Sequence, residues 1–160
     1  VCWGTNPGPA VVARNRMQLG ITTPLYMSHG VASKKFIELA GDAAEGLMLP
    51  AGRLIVAAQL PASHPQKPVL TKYIADYDAK HHAAVSTFGG HAYDALHLVA
   101  DAIKRGGSAE PQAIRDGIEN TIAFVGTAGI FSFGPKEHNG LDVTAFEMVK
   151  IEKGDWKIAE

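Results

Sequence analysis

The feature that most constrains the fold is a change of rhythm along the chain: strands alternate with helices, then three helical patterns follow one another with no strand between them. Val1-Cys2-Trp3 reads as the tail of a buried strand, and Gly4 to Pro9 turns the chain into an amphipathic helix from about Ala10 to Leu19, with Gly20 as its C-cap. Thr23 to Met27 is a short strand. Ser28 to Ser33 is a loop whose last residue is a candidate N-cap. A helix from Lys34 to Leu39 carries Phe36, Ile37 and Ala40 on one side, and Gly46 to Pro50 is a third strand. Short helices between strands imply a parallel sheet with right-handed crossovers. After the polar connection Ala62 to Pro68, the helical patterns run from Val69 to Lys80, Phe88 to Lys104 and Glu110 to Asn120. The second places Tyr93, Leu96, Val99, Ala100 and Ile103 on one stripe.

The last third changes character again. Phe124 to Phe133 alternates and is glycine-rich, Lys136 to Gly140 is a polar turn, and Ala145 to Ile151 pairs across Gly154-Asp155 with Trp156 to Ile158 as a closing hairpin. Buried parallel strands usually run roughly 4–8 residues. A strand tail at residue 1 therefore predicts that the chain is part of something longer.

Composition bounds the partners. The 160 residues carry a net charge of −1 with basic residues scattered, so no phosphate-binding surface is expected and nucleic acid is not an expected partner. The longest apolar stretch, Gly46 to Pro61, is interrupted by Arg53 and Pro50 and is too broken to span a bilayer. A single cysteine, Cys2, forms no internal disulfide and reads as a small buried hydrophobe.

Three segments in order resemble the type I periplasmic solute-binding proteins, in particular the branched-chain amino-acid (Leu/Ile/Val) receptors of ABC transporters. They are Asp42-Ala-Ala-Glu-Gly46 before a strand, Ala92-Tyr-Asp-Ala95 opening a long apolar helix, and Phe124 to Phe133 before a polar turn. The resemblance covers the whole chain and implies an α/β, flavodoxin-like lobe: parallel βα units, a helical block and a C-terminal antiparallel hairpin. It implies two lobes joined by three crossing strands, with ligand in the cleft between them. Residues 1–60 and 146–160 would belong to an incomplete second lobe, and 64–143 would be a helical segment of the first lobe, lacking its sheet. Hinges would fall near 61–64 and 143–146. It further implies an ABC permease as membrane partner, a periplasmic or lipid-anchored extracellular location, a small-molecule ligand, and no catalysis or cofactor. The alternatives are a ligand-sensing domain of a regulator and an enzyme on the same scaffold.

Ligands of open α/β sheets bind beyond the carboxyl ends of strands. That points to Thr5-Asn6 after the first strand and His29-Gly30 after the second. In amino-acid receptors of the family an acidic residue holds the ligand ammonium at the position His29 matches. Histidine cannot be the counter-ion of an ammonium, but it donates to a carboxylate or hydroxyl. The departure favours an acid without an amine, aromatic or aliphatic, over an α-amino acid. Thr5 and Asn6 have a second reading as turn-formers before Pro7.

The other histidines carry less. His91 and His97 are six apart on one helix, not the four that a helical zinc pair needs, and no metal site is expected. Gly89-Gly90 and Gly126/Gly129 lack a phosphate-loop signature and read as close backbone contacts. Asp94 reads as a macrodipole partner at a helix start. Trp3, Phe88 and Tyr93 read as core residues with a second reading as cleft lining. Helices striped for a sheet that this chain lacks are expected to be covered by a second copy of the chain, as a symmetric dimer.

Overall fold

The computed structural model describes residues 1–159, which form five α-helices and five strands. The helix α1 (Gly8–Gln18) begins two residues before the expected start, because Pro9 sits in the first turn, where a missing N–H costs nothing. Gly20 ends it in the left-handed region at φ 65°. Its N–H donates to Met17 O and the next N–H, of Ile21, to Arg16 O, the paired pattern that a glycine just past a helix end permits. The helix buries its small residues, Pro9, Ala10 and Ala13, and leaves Val11, Val12 and Met17 outside. Close approach to the turn at Gly41–Ala44 and to α2 (Lys34–Ala40) selects small side chains over large ones.

The expected parallel strands at 1–3 and 23–27 are reduced to single bridges. Cys2 pairs with Met27 and Tyr26 with Met48, each in the parallel sense. The third strand, β1 (Met48–Gly52), then pairs antiparallel with β4 (Phe146–Glu152), which pairs antiparallel with β5 (Asp155–Ile158). Sequence order and sheet order therefore part company at β1, whose second edge is taken by the far end of the chain. Leu49 and Ala51 from β1, Val149 and Ile151 from β4 and Trp156 from β5 share one core with Phe36, Leu47 and Met27. In β4 it is Val149 and Ile151 that point inward, while Phe146 and Met148 face out. Pairing with β1 sets that register, and a shift of one residue would turn the whole strand over.

Arg53 to Gln59 forms a 3-10 turn that burial alone predicts poorly. Leu54 and Ala57 leave the sheet core and join Leu60, Leu70 and Tyr73 in a second cluster. That cluster seats α3 (Lys67–His81), which ends on His82 in the left-handed region. Helix α4 (Thr87–Gly106) starts at Ser86, whose hydroxyl accepts from Gly89 N. Its buried positions are Thr87, Gly90, Asp94, Leu98 and Ala102, a different face from the stripe expected from hydrophobicity. Leu96 is 73% exposed and Val99 36%. Small and polar residues face inward because α5 (Pro111–Glu119) and the hairpin of β2 (Phe124–Val125) and β3 (Ile130–Phe131) come very near. A Cβ on Gly117 would sit 2.8 Å from Ala102.

Candidate functional site

Both predicted loops meet at one end of the sheet. Ser28, buried at the end of the Met27 bridge, donates its hydroxyl to Gly4 O at 2.9 Å and accepts from Gly4 N at 3.2 Å. Gly30 fits only without a side chain, since a Cβ there would lie 2.8 Å from Gly4 O and 3.1 Å from Thr5 Cγ2. The Thr5-Asn6 and His29-Gly30 loops thus lie side by side, joined through Gly4, Thr5, Ser28 and Gly30. Thr5 is exposed. Asn6 Oδ1 is buried with no hydrogen-bond partner among the described residues, which departs from its reading as a self-bonded turn residue.

His29 stands in a 3-10 turn (His29–Val31) instead of an irregular loop. Its imidazole is exposed and ringed by aromatics: Trp3 edge-on with centroids 6.0 Å apart, and Phe146 tilted at 5.9 Å. Trp3 is 79% exposed, so its reading as a core residue is overturned. A tryptophan at the free end of a bridge has no second layer to cover it. Phe88 is likewise exposed, while Tyr93 keeps a packing role, 4.8 Å from the Tyr73 ring.

Opposite His29, the start of α4 forms the second wall. Ala32, Gly52 and Phe146 from the sheet side and Thr87 and His91 from the helical side line a narrow cleft of about 40 Å³. That is little more than the share of one water in the liquid, roughly 30 Å³. Thr87 spans it by donating to Ala32 O at 3.3 Å. Thr87, His91 and Phe146 were missed as cleft residues. The available signal was Ser86, an N-cap residue that opens α4 with Thr87 at its first position.

One edge of this cleft is held by a buried carboxylate. Asp94 is 2% exposed, and its oxygens accept from Thr127 N at 2.7 Å, Ala128 N at 2.8 Å and Thr127 Oγ1 at 3.1 Å. Asp94 is therefore a clamp on the Gly126–Gly129 turn, which corrects its reading as a macrodipole partner. The glycines are required there: a Cβ on Gly126 would lie 2.8 Å from that carboxylate, and one on Gly90 2.7 Å from Thr127 Oγ1. The remaining histidines serve locally. His81 and His97 lie tilted against Tyr77 and Tyr93, and His64 Nδ1 accepts from Gln66 N at 3.2 Å.

No protein-family model matches the chain. It is 27% identical over 148 residues to the leucine-, isoleucine-, valine-, threonine- and alanine-binding protein of Pseudomonas aeruginosa, covering 92% of this chain and 37% of that one. An extracellular ligand-binding receptor from Rhodopseudomonas palustris HaA2 superposes with a TM-score of 0.90 at 27% identity, over 98% of this chain and 46% of that one. The chain is a homologue of these solute-binding proteins. A branched-chain amino-acid transporter substrate-binding protein from Streptococcus pneumoniae, solved with isoleucine, shares the fold at a TM-score of 0.76 and 23% identity, over 99% of this chain and 42% of that one.

This homologue has the fold of type I periplasmic binding proteins, and its relatives are binding proteins, not enzymes. It spans less than half the length of the relatives it matches.

Proposed function

We propose that the chain supplies one wall of the ligand cleft, and the hinge, of an extracytoplasmic solute-binding receptor that delivers its ligand to an ABC permease in the membrane. In this reading residues 1–60 and those from 146 onward are second-lobe structure, 64–143 are the helical segment of the first lobe, and the hinges lie at 61–64 and 143–146. The receptor works in the periplasm, or at the outer face of the cell on a lipid anchor. Ligand that touches both lobes shifts an open–closed equilibrium toward the closed state.

The observation that carries the reading is His29, exposed beyond the end of a parallel bridge, between Trp3 and Phe146 and across a cleft from Thr87 and His91. An imidazole among aromatic rings suits a small carboxylate without an α-amino group, and an aromatic one above all. The rings offer stacking area, and the imidazole offers a donor. Thr5, Asn6 and Gly30 complete this wall. The Pseudomonas relative's name makes aliphatic amino acids the competing ligands.

A thermal-shift screen of the receptor tests the choice. Aromatic and keto acids are expected to raise the melting temperature and leucine and valine to leave it in place; the opposite pattern overturns the carboxylate assignment. His29→Ala is expected to weaken the acid by about 1–3 kcal/mol, the range for losing a charge-assisted hydrogen bond from a desolvated cleft. Unchanged affinity by calorimetry would return His29 to the solvent.

The same reading explains the exposed apolar stripe. Val99, Ile114, Ile118 and Phe133 frame an apolar hollow on the outer side of α4 and α5, beside Leu96. In the isolated 160-residue chain this face pairs with a second copy, as a symmetric dimer.

A further inference from the structure

We propose that Arg53 and Gln66 form a brace that couples the hinge to the turn bordering the cleft, so that a change in lobe angle is transmitted to the cleft edge; the inference rests on the two-lobe reading above. Arg53 follows β1 directly, and its side chain is 13% exposed. Its guanidinium uses every face of the fork. Nε donates to Glu147 Oε1 on β4 at 2.9 Å, with Nη2 ion-paired to the same oxygen at 2.8 Å, and Nη1 donates to Thr144 O at 2.7 Å and to Gln66 Oε1 at 3.3 Å. One planar group thus touches both proposed hinges: Gln66 lies just beyond the first, and Thr144 and Glu147 fall within and beside the second.

Gln66 is 1% exposed and passes the constraint on. With its carbonyl oxygen facing the guanidinium, its amide nitrogen points the other way and donates to Gly126 O at 2.9 Å and Thr127 O at 3.3 Å. Those carbonyls belong to the turn whose amides are held by Asp94, on the helix that presents Thr87 and His91 to the cleft. Apolar side chains would let the two halves slide past each other. A buried chain of directional bonds admits few arrangements, and each member sets the orientation of the next.

Amide hydrogen exchange followed by NMR on the 160-residue chain tests the brace without any ligand. Arg53→Gln is expected to speed exchange of the Thr127 and Ala128 amides about tenfold while the β4–β5 amides keep their rates. Arg53→Lys keeps the charge beside Glu147 but not the fork, and is expected to speed the same turn amides. Glu147→Gln removes only the ion pair and is expected to change them less than about threefold, since two of the guanidinium's partners remain. Uniform acceleration over the whole chain reduces Arg53 to ordinary fold stability and overturns the brace. So do wild-type turn amides in Arg53→Gln, or their full rescue by lysine. A failed ligand screen would overturn the receptor reading and leave this exchange pattern standing, so the two failures are distinguishable.

Discussion

The sheet half and the helical half of this chain are held together by different forces. Around β1, β4 and β5 the core is large and apolar: Phe36, Leu49, Val149 and Ile151 are fully buried, and Trp156 and Met27 nearly so. The helical half has two smaller ones: Leu70 and Tyr73 share a cluster with Leu54, Ala57 and Leu60, and Leu98, Ala128 and Phe131 form another. What fixes it are buried polar groups, Asp94, Gln66, Thr127 and Thr121. Its large apolar residues, Leu96, Val99 and Ile122, lie on the outside. A half with its own core can tolerate the loss of a single hydrogen bond. A half organised by a few directional bonds can lose its turn geometry when one of them is removed.

The comparison breaks if truncation costs the same in both halves. Phe36→Ala removes a ring with no exposed surface and is expected to cost about 3–5 kcal/mol by urea denaturation. On α4 a large loss should come from a polar residue. Asp94→Ala leaves two buried amides and a hydroxyl without an acceptor and is expected to cost about 2–3 kcal/mol. That exceeds the expected effect of truncating any outward apolar residue on the same helix. If Asp94→Ala were neutral, the polar account of that half would fall.

Smaller effects sharpen the contrast. Lys34 at the start of α2 pairs with Asp155 in β5 at 2.7 Å, and the hydrogen bond from Lys34 holds the Asp155 carboxyl below its ordinary value. A depressed carboxylate contributes stability above its unfolded-state value and loses it as pH falls through its folded-state value. Asp155→Asn is therefore expected to cost less than about 1 kcal/mol at neutral pH, given the exposure of the pair. Melting curves should show the difference shrinking below the ordinary carboxylate value of 3.8 and vanishing in stronger acid. Leu96→Ser is the smallest case. It is expected to leave unfolding within about 0.5 kcal/mol of wild type while lowering the mass of the isolated chain in light scattering toward that of a monomer. A wild-type chain that is already monomeric at micromolar concentration sinks the dimer.

Much of the architecture was legible in the residues because local periodicity and turn chemistry act over a few positions. The three successive helices, the closing hairpin, Gly20 as a helix stop and the glycine-bearing turn at 126–129 needed only spacing and composition to be read. So did the pairing of the Thr5-Asn6 and His29-Gly30 loops, once strands were assigned and the rule for carboxyl ends applied. The face that α4 buries was misread, because hydrophobicity marks what some partner covers and not which neighbour in this chain lies closest. Gly90 and Asp94 face inward for steric and hydrogen-bonding reasons that no apolar count detects.

By itself the sequence determined the five helices, the closing hairpin and the likeness to solute receptors, since each rests on contacts within a short stretch or on a pattern of residue types. Only the tertiary structure decided that β1 takes the distant β4 as its neighbour, that Trp3 and Phe146 flank His29, that Thr87 and His91 face it, and that Arg53, Gln66, Thr127 and Asp94 form one chain of bonds. Successive members of that chain of contacts are 13 to 61 positions apart. Nothing in local propensity ties groups so far apart. Their meeting is set by how two halves pack, and packing is a property of the whole fold.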